Sequence, residues 1–201
     1  MSKKTLKYRM YFFVPYNLSP IQQAIQAGHA ALEYARKYQN DQDFIDFADN
    51  WKTWIILNGR TTNSKLLKDS ETGGYANPRT DEAPYLGSLD NIAHQLIKNG
   101  INYSLFREPD LNDALTAVCF IADQRVWNHE DYPGFLDYIL KIKMYPDALA
   151  AMLDENMVIL KAQAEEHLKS LFPGYYNEWI DFIGGEKNLF LRELIRGKKL
   201  A

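Results

Sequence analysis

Three polar side chains fall on one line of an otherwise apolar segment. In "SPIQQAIQAGHAALEY", residues 19–34, Gln22, Gln26 and His29 are spaced by four and then three, which puts them on one face of a helix. Glutamine offers an amide donor and acceptor, and histidine exchanges a proton near neutral pH. A second polar group lies in "REPDLNDALT", where Arg107, Glu108, Asp110, Asp113 and Thr116 gather around a turn stiffened by Pro109. If the two segments meet, His29 and an acid form a base and its orienter, as proton abstraction from water requires. Each group also has an unreactive reading. A histidine at a helix–sheet junction can be satisfied by its neighbours. The turn can be a polar hairpin loop whose aspartates bond their own backbone, and threonine is common in strands.

Other chemistries find little here. There is no Walker-type phosphate loop, GxGxxG fingerprint, GxSxG elbow or HExxH pair. His94, His129 and His167 fall on separate expected elements, so neither a metal nor a cofactor is expected. Cys119 is the single cysteine, which excludes an intrachain disulfide and paired-cysteine zinc sites. Its setting, "LTAVCFIA", predicts a buried, inert thiol.

The elements that must position these groups follow from periodicity. "YRMYFFVPY", residues 8–16, reads as a buried strand ending near Pro15. Ser19, Pro20 and Gln22 form a helix start with a capping box, and the helix runs to about Tyr38. Its small residues suggest a sheet-facing side made of Ile21, Ala24, Gly28, Ala31 and Ala35. "DQDFIDFADNW" continues as a short helix and "WKTWIILNG" is a second strand. Residues 60–87 read as a long loop insertion. "SLDNIAHQLIKNG" is a helix capped by Ser88 and stopped by Gly100; "INYSLFRE" and "ALTAVCFIAD" are the third and fourth strands, the last apolar enough to be central.

The resulting expectation is an α/β fold, a three-layer α/β/α arrangement with a four-stranded mixed sheet in the order β-α-α-β-α-β-β. It occupies residues 1–123, and a helical extension over 124–201 packs on it. In such sheets ligands bind beyond the carboxyl ends of parallel strands, where "PYNLSPIQQ", the 60–87 loop and "FREPDLNDALTA" would meet.

With 201 residues, 46% hydrophobic content and a formal net charge of −3, the chain suits one domain with an appendage and is no strongly basic nucleic-acid module. It has no apolar run long enough to cross a membrane and no signal-peptide pattern, so a cytoplasmic setting without a membrane partner is expected.

The layout, with "QAGHA" (residues 26–30) in the first helix and "EPDLNDALTAV" (residues 108–118) leading into the last strand, resembles the peptidyl-tRNA hydrolase 2 family over residues 8–123. That resemblance implies hydrolysis of the ester joining a peptide to the terminal ribose of tRNA. It places Gln26 and His29 in the site, matches Thr116 to a late catalytic threonine, and leaves Glu108 or Asp110 as the acid. The corner Asn17, Ser19 and Gln22 would line the substrate, although it lacks the positive charge usual in the family. A basic groove would come from Arg60, Lys65, Lys68 and Arg107. Two further readings stand beside this one. One is a non-catalytic protein that keeps the fold and binds a nucleotide, a tRNA end or a protein. The other is an assembly protein, a homodimer built through tail stripes such as Leu149, Met152, Leu153, Val158 and Leu160.

Overall fold

The computed structural model describes residues 6–60, 87–111, 113–139 and 161–201. Lys65, Lys68 and the stripe from Leu149 to Leu160 lie outside them. The chain divides into two compact units, Met1–Asp123 with Ile195–Ala201, and Gln124–Leu194.

The first unit is mixed α/β. In chain order it contains β1 (Tyr8–Val14), α1 (Pro20–Tyr38), α2 (Gln42–Asp46), a π turn (Phe47–Trp51), β2 (Thr53–Asn58), α3 (Ser88–Lys98), β3 (Tyr103–Glu108), a 3-10 turn (Pro109–Leu111) and β4 (Ala114–Asp123). The four strands form one sheet in the order β2-β1-β4-β3. β1 and β2 are parallel, and β4 runs antiparallel to both β1 and β3. β1, β2 and β3 therefore share a direction, and the segments leaving them emerge from one end of the sheet.

Strand alternation sorts the core into two faces. Tyr8, Met10, Phe12 and Val14 of β1 and Ala117, Cys119 and Ile121 of β4 pack with Ala27, Ala30 and Tyr34 of α1 and with Phe47. On the other face Tyr11 stacks on Phe120, and Phe13 lies beside the same ring. That face meets α3, because a Cβ at Gly59 would collide with Leu89 of α3 and press on Phe13. Phe12, Phe13 and Phe120 are fully buried, and each contributes about 1.5–3 kcal/mol of hydrophobic stabilisation. Cys119 is buried, and burial pushes its thiol up to about 12, so it stays protonated.

Two local expectations change. The first helix has its capping box, with Ser19 and Gln22 bonded reciprocally, but it turns a different side to the sheet. Gln23, Gln26, Ala27, Ala30 and Tyr34 are buried, whereas Ile21 and Ala24 face solvent. Inward glutamines are tolerated because each finds partners: Gln23 Nε2 donates to Pro15 O at 3.0 Å, and Gln26 is bonded at both ends of its amide. Ser88 is the first helical residue of α3 rather than its cap, since its hydroxyl donates to Gly59 O at 2.6 Å.

Both outer strands of the sheet are partly covered. At β2, Asn58 N donates to Lys199 O, Ala201 N donates to Ile56 O, and Leu57 bridges Leu200. At β3, Tyr103 N donates to the Tyr38 hydroxyl, which donates in turn to Tyr103 O.

The second unit contains α4 (Gln124–Trp127), α5 (Phe135–Tyr138), α6 (Lys161–Leu171), α7 (Pro173–Phe182) and most of α8 (Glu186–Ile195). Its core joins Phe135, Tyr138, Ile139, Leu168, Trp179, Ile180 and Ile183. Trp179 Nε1 donates to Pro133 O, and buried Arg192 donates to the carbonyls of Arg125 and Tyr132.

Asp43 generates a pH prediction. Burial raises its carboxyl above the usual range, although it accepts a 2.9 Å bond from the Tyr8 hydroxyl that works the other way. A carboxyl raised on folding favours the fold while protonated and loses that contribution as pH rises through its folded value. Asp43→Asn keeps an acceptor for Tyr8 without the buried charge. Its melting temperature at pH 7 should equal or exceed that of the wild type, and the gain should vanish in acid. A drop at pH 7 that disappears in acid would show that the carboxylate itself is needed.

Candidate active site

The two polar segments meet through side chains. Thr116 Oγ1 donates to Gln26 Oε1 at 2.6 Å, and Gln26 Nε2 donates to Glu108 Oε2 at 2.5 Å. These contacts span 90 and 82 residues of sequence. The amide orientation follows from its partners: an ionised carboxylate only accepts, so the nitrogen faces Glu108 and the oxygen takes the threonine proton.

A sheet irregularity aims Thr116 at Gln26. Along β3–β4 the register pairs Phe106 with Ala117 but Arg107 with Leu115, leaving Thr116 as an extra residue in β4. Strict alternation would place Thr116 with Val118 and Phe120, on the α3 face. A β-bulge turns two successive residues to the same side. Thr116 accordingly joins Ala117 beneath α1, where its hydroxyl also lies 3.3 Å from Phe106 O.

His29 is half-buried beside this chain of bonds. Its ring packs on Phe106 with centroids 4.4 Å apart, and its Nδ1 is buried without a hydrogen-bond partner. That leaves Nε2 as the nitrogen for a water or substrate. Glu108 is also half-buried, and its Oε1 has no hydrogen bond among the described residues. Thr116 differs from both: it has no exposed surface and its proton is committed to Gln26. The next polar contact along the same interface is Ser104, which donates to Ala30 O at 2.6 Å and lies 3.2 Å from Cys119 Sγ. No sequence signal singled out Ser104 as a tie between α1 and β3, because a serine in a strand has no characteristic pattern.

The remaining candidates are spread out. Asp110 is exposed on the 3-10 turn and has no hydrogen bond or ion pair among the described residues. Arg107 points to the opposite face, where it pairs with buried Asp90 of α3 at 2.9 Å and donates to Asp113 O. Ser19 and Gln22 bond each other in the cap of α1. Asn17 is exposed on the same corner. Arg60 follows β2 in a left-handed conformation, and its carbonyl accepts from Tyr16 N at 2.9 Å. β2 and β3 are the two outer strands, so Arg60 and Glu108 are separated by three strand spacings, about 14 Å. The segments leaving β1 and β3 emerge at one end of the sheet, residues 61–86 of the third expected segment lie outside the described residues, and of the described candidates only Gln26, His29, Glu108 and Thr116 are brought together.

Among the described residues, no group of three or more His, Cys, Asp or Glu side chains could hold a metal ion. None of the helices they form is long and apolar enough to cross a membrane. No model of a known protein family matches the chain, and no curated protein matches its sequence.

Removing the Thr116 hydroxyl leaves Gln26 Oε1 buried without a donor. Thr116→Val should therefore destabilise the protein by about 1–3 kcal/mol in urea denaturation. Thr116→Ser should recover much of that loss. Equal stability of the valine variant and the wild type would remove the hydroxyl from the account of how α1 is held.

Proposed function

We propose that this chain is a peptidyl-tRNA hydrolase-like protein that cleaves the ester between an N-blocked amino acid or peptide and the terminal ribose of tRNA. The observation that supports this reading is the hydrogen-bonded junction of the helix motif with the acidic turn, Thr116 to Gln26 to Glu108. In this reading Glu108 takes a proton from a water held at Oε1, the water attacks the ester carbonyl, and the proton passes to the ribose oxygen as the ester C–O bond breaks. His29 Nε2 faces the substrate and hydrogen-bonds it or the departing ribose oxygen. Gln26 holds the carboxylate in place, and Thr116 holds Gln26, which makes both of them positioning residues.

A specific observation favours a second reading, a non-catalytic protein that retains the fold for binding. Arg107 is engaged by Asp90, and Arg60 stands about three strand spacings away. The described residues around Glu108 thus offer little to attract a phosphate backbone.

The deciding experiment is release of the blocked amino acid from N-acetyl-aminoacyl-tRNA by the purified protein. Turnover is expected, with Glu108→Gln lowering kcat/KM by about 100-fold or more and His29→Ala by about tenfold or more. Folded wild-type protein that releases nothing above buffer, yet retains tRNA in a gel shift, would transfer the assignment to binding.

A further inference from the structure

We propose that the trough between α1 and the π turn is a binding site for an apolar molecule with one anionic head, of the alkyl or arylalkyl carboxylate class. The inference does not rest on the ester reading, although His29, which that reading turns to its substrate, also lines this trough. α1 lies over β1, β4 and β3, and on the β2 side of that face a cavity of about 520 Å³ remains between α1 and the segment from Phe44 to Lys52. Small-molecule pockets span roughly 300–1,000 Å³.

The chemistry of the wall points to the ligand. Met10 lines the trough, and Ile25, Leu32 and Trp54 border it while remaining 48%, 69% and 44% exposed. Large apolar side chains left in water around a concavity mark a place that something apolar covers. Gly28 sets the depth on the helix side, since a Cβ there would meet nothing within 4 Å. Among the described lining residues Lys52 carries the single formal charge, and His29 and the indole N–H of Trp54 add the other polar side-chain groups. Lys52 has no ion pair among the described residues, so its ammonium can meet an anion. A trough of this volume with one cation suits a small carboxylate better than a second copy of the chain, which needs about 800 Å² of matched surface on each side.

The test uses decanoate, with decylammonium of the same chain length as control, both below micellar concentration. Binding is read from Trp54 fluorescence and by calorimetry. Saturable binding of decanoate is expected, with decylammonium markedly weaker. Lys52→Gln should weaken decanoate by about threefold to tenfold. Gly28→Leu should abolish binding by filling the trough, without loss of melting temperature, because leucine is the better helix former. Trp54→Phe should remove the fluorescence change and leave the calorimetric signal. Three results would each overturn the proposal: no saturable binding, equal affinity for both head groups, or a stable dimer that Gly28→Leu dissociates.

Discussion

A buried side-chain amide costs free energy unless both of its ends are bonded, and the position of α1 follows from meeting that condition at Gln26. The acceptor end takes the Thr116 proton and the donor end binds Glu108. Both partners come from the β3–β4 hairpin, so the helix is drawn over that half of the sheet. The bulge at Thr116 is the backbone adjustment that makes this possible, since an unbroken ladder would send the hydroxyl to the α3 face. Ser104 adds a second tie, from β3 to the carbonyl of Ala30.

The remaining surfaces of the sheet unit follow from that displacement. With α1 over β4 and β3, its far side and the edge of β2 are left to α2, the π turn and the residues around Leu200. The trough with its exposed Ile25, Leu32 and Trp54 occupies this less covered half. At the opposite edge, Tyr38 occupies the outward backbone groups of Tyr103, and Lys37 Nζ lies 4.9 Å from the centroids of both tyrosine rings. Side chains placed on a strand's open row of donors and acceptors discourage pairing with another chain.

The same geometry gives the candidate site an uneven character. Its hydrogen-bonding groups are well supported, with Glu108 held by Gln26 and His29 held against Phe106. Its cations are not. Arg107 alternates to the other face, where Asp90 pairs with it beneath α3. A strand's two-residue period makes this unavoidable: if Glu108 faces α1, its neighbour Arg107 must face α3.

Much of this was legible from local chemistry. Ser19, Pro20 and Gln22 announce a helix start whatever lies around them, because the cap is satisfied within four residues. The apolar runs of β1 and β4 and the order of elements followed in the same way, whereas a Gln–His helix face and an acidic turn were legible separately but not their meeting. What could not be read was orientation. The small residues of α1 suggested one buried side, and the helix buries another, because Gln23 and Gln26 found partners that only the folded chain brings near. Thr116 was recognisable as a candidate. Its aim depends on a bulge in the β3–β4 ladder, and a ladder exists only between strands already paired. Caps and periodicities are set by neighbours in the chain, whereas the face a helix buries and the direction of a bulged side chain are set by hydrogen bonds spanning 82 and 90 residues.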